Sequence, residues 1–129
     1  MKRFTDAGRQ AIAAKNNYAA LSLALMIPDI CGSLEDPGPG KSQRRYERWF
    51  KQWAEPKFVN LSAEECYQLR CSMIHSGSAE IQILRVSKFS EWIYQAADEW
   101  DASVKNNAAV QAEKAKLLFI HLGAQAIRL

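Results

Sequence analysis

The stretch Ser42-Gln43-Arg44-Arg45-Tyr46-Glu47-Arg48-Trp49-Phe50-Lys51-Gln52-Trp53 decides the fold class. Tyr46, Trp49, Phe50 and Trp53 stand at i, i+3, i+4 and i+7, so a helix gathers all four rings on one face and leaves Arg44, Arg48 and Lys51 on another. A strand would scatter the same rings over both of its faces. The spacing therefore predicts an amphipathic helix over Ser42 to Trp53. An aromatic stripe at helical spacing more often forms core than a base-stacking surface, so the rings are expected inside. The basic face is then the candidate for function, and an ordinary solvated surface would fit it equally well.

On the N-terminal side, Asp36-Pro37-Gly38-Pro39-Gly40 cannot continue a helix and reads as a loop. Before it, about Thr5 to Ile27 is rich in Ala and Leu, has Thr5 or Asp6 available as a cap, and reads as one long helix. Pro28 disfavours helix at Ile27, so the chain should kink there or restart as a short helix through Leu34. The apolar run Tyr18 to Ile27 falls short of the roughly 20 residues of a membrane span and reads as a buried helix.

On the C-terminal side, Ser62-Ala63-Glu64-Glu65 matches a capping box, which starts a helix at Ala63 that should run to about His75 or Ser76. Ile81 and Ile83 alternate with Glu80 and Gln82 in a short extended stretch. From Ser87 to about Lys105, Phe89, Ile93, Ala96, Trp100 and Val104 keep helical spacing. Asn106-Asn107 marks a turn, and a last helix runs from Ala108 to about His121. Ile127 and Leu129 alternate in the tail and could pair with the Ile81 stretch as a two-stranded ribbon. The expected fold is a single all-α domain over residues 1–129, an up-and-down helical bundle with a possible minor two-stranded β appendage.

The chain's 129 residues, 48% hydrophobic and 24% charged, suit one domain with a real core and argue against disorder. Three cysteines at no framework spacing argue against a secreted disulfide scaffold, and Met1-Lys2-Arg3 leads into polar residues rather than an export signal. A cytoplasmic protein without a membrane partner is the expectation. The formal charge of +3 is small, but Lys41, Arg44, Arg45, Arg48, Lys51 and Lys57 against Glu47 and Glu55 make the segment Lys41 to Lys57 locally basic.

Chemistry has few places to reside. His121 lies among apolar neighbours in Leu118-Phe119-Ile120-His121-Leu122 and reads as structural, while Cys31 and Cys66 read as buried small hydrophobes. The segment Leu69-Arg70-Cys71-Ser72-Met73-Ile74-His75-Ser76-Gly77 is different, because it holds a permanent cation, small polar groups and an imidazole beside a helix-ending glycine. Cleaving RNA without metal needs a cation to steady the phosphate and a group titrating near neutrality to move protons, and Arg70 and His75 supply those types. Arginine's planar fork can take two phosphate oxygens at once. Five residues along a helix rise about 7.5 Å and turn about 140°, so the two side chains do not share a stripe; a long Arg side chain and a fraying helix end could bring them together around a phosphate, and a twofold dimer could place two such pairs across one shared cleft. The alternative is an Arg70 in a surface ion pair and a His75 capping the last carbonyls. Cys71 and His75, at i and i+4, would form a shared zinc site only if a dimer doubled them. No cofactor and no metal is expected, and no phosphate-binding glycine loop, His-Glu-x-x-His helix or paired-carboxylate motif favours another enzyme class.

The R-x4-H arrangement of Arg70 and His75 resembles the R-x4-6-H signature of the HEPN superfamily. Met26-Ile27-Pro28-Asp29-Ile30-Cys31-Gly32, Arg45-Tyr46 with Trp49-Phe50, and the Trp100 segment are similar to small bacterial members of that group. The resemblance implies a dimerising helical domain that cleaves RNA without metal, acting as a toxin or defence component with a cognate antitoxin protein as possible partner. It also implies that Arg70 stabilises the scissile phosphate and His75 transfers protons. Members of the group often carry a polar residue directly after the Arg. Here that place is taken by Cys71, so Ser72 is the candidate for a supporting hydrogen bond. Lys41, Arg44, Arg45 and Arg48 are the candidates for holding the RNA backbone. The same resemblance leaves open a non-catalytic module that binds RNA, a nucleotide or a protein partner.

Overall fold

The computed structural model of the chain describes residues 1–57, 61–76 and 86–116. Five α-helices are bounded within them: α1 Lys2–Ala13, α2 Asn17–Glu35, α3 Ser42–Trp53, α4 Ala63–Ser76 and α5 Val86–Ser103, with a 3-10 turn Glu55–Lys57 after α3. Helical backbone resumes over residues 108–116, started by Asn107, whose Oδ1 accepts from the Val110 amide at 3.2 Å. The chain is an all-α bundle. The described residues contain no strand; the proposed ribbon of Ile81, Ile83, Ile127 and Leu129, the C-terminal end of the last helix and His121 lie outside them.

Helix α2 is the axis, packing against α1, α3, α4 and α5. It is long and apolar enough to cross a membrane by length and composition, and half of that apolar window is buried inside the bundle. Ala20, Leu21, Ala24, Leu25, Ile27, Cys31 and Leu34 supply its buried face. The aromatic stripe read in the sequence does close the core, with Tyr46, Trp49 and Phe50 no more than 1% exposed and Trp53 half-buried. Trp100, Tyr94 and Phe89 of α5 complete it from the other side. Two buried tyrosines tie their helices to the axis through their hydroxyls, Tyr46 donating to the Leu25 carbonyl at 2.9 Å and Tyr94 to that of Ala20.

The N-terminal half corrects two expectations. The single helix from Thr5 to Ile27 is two helices, because Lys15 adopts φ +59° and Asn16 caps a new start, its Oδ1 accepting from the Ala19 amide at 3.1 Å. Of the two courses expected at Pro28, the restart does not occur: the helix continues through it to Glu35. Proline withdraws one amide donor and crowds the preceding turn. Here the helix is held by neighbours along its length, and tertiary packing outweighs local propensity.

Two glycines allow the tight approaches. A Cβ at Gly32 would lie 2.8 Å from the Arg45 carbonyl oxygen, so α3 rests directly on α2, and one at Gly8 would lie 2.1 Å from Cζ of Tyr94. Between α2 and α3, the Pro-Gly loop turns at Gly38 with φ +109°, a conformation suited to glycine.

Candidate functional site

Helix α4 begins as its sequence requires. The Ser62 hydroxyl accepts from the Glu65 amide at 3.1 Å and Glu65 Oε1 accepts from the Ser62 amide at 3.4 Å, a reciprocal capping box. The start of the helix is thereby set, and with it the direction of every side chain downstream.

Arg70 faces α2. Its Nε donates to Asp29 Oδ2 at 2.7 Å, its guanidinium lies 5.4 Å above the Tyr67 ring centroid, and Nη1 is 3.8 Å from Cys71 Sγ. Tyr67 in turn meets the buried Tyr46 edge-on at 5.4 Å. The Tyr46 hydroxyl, besides bonding the Leu25 carbonyl, lies 3.2 Å from Cys66 Sγ. Leu25 with Cys66, and Asp29 with Arg70, are both pairs separated by 41 positions. Two successive turns of α2 therefore meet two successive turns of α4 in the same order, and the helices run side by side in the same direction.

The ion pair is largely covered, with the Arg70 side chain 20% and the Asp29 side chain 23% exposed. Burial pushes the Asp29 carboxyl above its ordinary value, against the pull of Arg70 and, more weakly, Arg45. Burial also opposes the charge on Arg70, but hydrogen bonding and attraction to Asp29 outweigh it and hold the guanidinium above its ordinary value. The pair is thus a fixed cation whose Nε and one face are committed within the chain, while its Nη2 makes no hydrogen bond with a described residue.

His75 occupies the last turn of α4, exposed. No hydrogen bond or ion pair joins it to Arg70, as the helical rotation between the two positions requires. Ser72 is exposed and Cys71 half-buried; it is Cys71 whose side chain touches Arg70. Ile74, next to His75, is 54% exposed, a large apolar side chain left at the surface.

The four basic residues read from α3 divide. Lys41, Arg44 and Arg48 line one open groove of about 730 Å³, which Lys51 and Tyr67 also line. Arg45 lies elsewhere: Nη1 donates to the carbonyls of Asp36 at 3.0 Å and Gly38 at 2.8 Å, and Nη2 to that of Gly40 at 3.2 Å. Its task is to hold the Pro-Gly loop, and it lines a second cavity of about 400 Å³ together with Asp29, Ile30, Ser33 and Glu113. The Asp29–Arg70 pair is therefore bordered by a basic groove through Tyr67 and by a smaller mixed cavity through Asp29.

Asp29 and Tyr67 are the site residues that the sequence analysis does not single out. Asp29 lies in the stretch Met26 to Gly32 and Tyr67 within the helix expected from Ala63, but a carboxylate 41 positions from its cation leaves no local signal. No group of three His, Cys, Asp or Glu side chains suited to a metal ion occurs among the described residues. Comparison with family models, curated proteins and solved structures finds no match to this chain.

Proposed function

We propose that this chain is an endoribonuclease of the HEPN type, working as a twofold pair without metal, with Arg70 stabilising the scissile phosphate and His75 transferring protons. The observation that carries the reading is the state of Arg70: Asp29 fixes its Nε, and Tyr67, whose ring supports its face, also lines a basic groove. A guanidinium held this way is preorganised, so it can meet charge developing on a phosphate without first losing its own freedom.

In the reaction, a ribose 2'-hydroxyl attacks the adjacent phosphorus while a base takes its proton. The bond to the 5'-oxygen breaks, and that oxygen receives a proton as it leaves, giving a cyclic phosphate and a 5'-hydroxyl. An imidazole is the group suited to one or both transfers at neutral pH. Because Arg70 and His75 diverge around α4, the proton-carrying His75 comes from the facing protomer, with the exposed Ile74 at the contact. Acting in the cytoplasm as a toxin or defence component, such an enzyme would be restrained by a cognate antitoxin protein.

One observation favours the other reading, a non-catalytic RNA- or nucleotide-binding module: Arg70 already has a carboxylate partner in its own chain. The two separate in one assay. Purified protein incubated with mixed-sequence RNA in EDTA is expected to yield cyclic-phosphate ends, and Arg70→Ala and His75→Ala are each expected to abolish them. Cleavage that needs added metal, or that survives both substitutions, refutes the proposal.

A further inference from the structure

Four cations recur at intervals of three, four and three residues, Lys41 at the N-cap of α3 and Arg44, Arg48 and Lys51 within it, so the three helical ones follow one stripe and the file covers about 15 Å. All four line the same open groove. Their availability differs. Lys41 and Arg44 make no hydrogen bond or ion pair with a described residue, Arg48 is 3.6 Å from an Asp36 carboxylate oxygen, and Lys51 is held by Glu64 at 3.1 Å. The carboxylate that lines the groove with them is Glu47. Arg45, adjacent in sequence, is excluded because its guanidinium serves the loop.

Tyr67 connects this groove to the Arg70 pair. It lines the groove, is partly exposed, carries the Arg70 guanidinium over its ring, and places its hydroxyl 3.4 Å from Ser42 Oγ at the start of α3. We infer that the groove is the track of a single-stranded RNA, whose phosphates lie on Lys41, Arg44 and Arg48 and whose path leads past Tyr67 to Arg70. One file of cations on one helix matches one backbone, whereas a duplex offers two. An acidic peptide would satisfy the same cations, and competition with polyglutamate separates the two. The inference rests on the ribonuclease reading for the choice of RNA; binding in the groove does not itself require cleavage.

The test uses the full chain and a fluorescein-labelled RNA of about twelve nucleotides, within the span such sites cover. Its 2'-hydroxyls are methylated, so it carries no internal nucleophile. Binding is followed by anisotropy over a range of salt. Each phosphate neutralised on a single strand contributes about 0.7 to the slope of log affinity against log salt, so K41Q/R44Q is expected to reduce that slope by about 1.4. The charge-matched K2Q/R3Q variant, altered on α1, is expected to keep the full slope. An unchanged slope in K41Q/R44Q, or an equal loss in K2Q/R3Q, overturns the track. Equal displacement of the RNA by polyglutamate of the same charge overturns the strand in favour of an acidic peptide. Unmethylated RNA that is bound through the groove and left uncut would refute the ribonuclease reading alone; RNA that is cut while binding ignores the groove would refute the track alone.

Discussion

Asp29 is drawn in two directions. Burial disfavours its charge and Arg70 favours it, and the balance leaves its carboxyl above the ordinary value of 3.8. An acid whose folded value is raised adds its full stability below the unfolded value and loses it as pH rises through the folded one. Removing Arg70 removes the opposing pull. Arg70→Ala is therefore expected to push the Asp29 carboxyl higher still, and to cost least stability at low pH, where the carboxyl is protonated in both proteins, and progressively more as pH rises through its titration. Carbon-13 NMR of the carboxyl and urea unfolding across that titration check this. An Asp29 titration unchanged by the substitution would show that the pair does not form. At this scale the sequence makes Arg70 and His75 legible, because a cation and an imidazole in one short segment carry their chemistry in their names. It leaves Asp29 without a role, because an ion pair across 41 positions has no periodicity to betray it. It also makes Arg45 look equivalent to Arg44, although one-residue neighbours on a helix point about 100° apart and only one of them faces the groove.

The helices differ in how much of their extent local chemistry dictates. Over α3, the four-ring stripe sets the type and the Pro-Gly loop ahead of it limits the start, and the observed span Ser42–Trp53 coincides with the expected one. Over α4, the capping box does the same for the start. Ser62→Ala is expected to destabilise the protein by about 1 kcal/mol, in the range of N-cap losses, read as a shift of the urea midpoint at constant slope. A midpoint that does not move would mean that Glu65 and solvent suffice to start the helix. The first 35 residues carry weaker local signals. The break at Lys15-Asn16 interrupts an Ala- and Leu-rich composition, and its cue is the pair Asn16-Asn17, of which Asn16 caps the next helix once Lys15 has turned the chain. At Pro28 the error is of the opposite kind: a local rule calls for interruption, but packing on several sides sustains the helix.

For the whole molecule, the proposed activity depends on two copies meeting. Tyr18, Met26 and Ile74 are the large apolar side chains most open to solvent among the described residues, and Ile74 adjoins His75. If this contact builds the pair, Ile74→Glu is expected to convert a dimer to a monomer in sedimentation velocity and to lower RNA cleavage with it, since a desolvated carboxylate has no partner there. A dimer that persists in the variant would move the interface elsewhere. The parallel seating of α2 and α4 has one more consequence. The Tyr46 hydroxyl pins one rung of the two helices and the Asp29–Arg70 pair marks the next. Inserting a single residue between Leu25 and Asp29 would swing the carboxylate about 100° off its mate while leaving the pinned rung intact. The same rotation would carry Cys31, Gly32 and Leu34 off the core, so the anchored guanidinium and the seating of the bundle's axis depend on a single alignment, and neither can slip without the other.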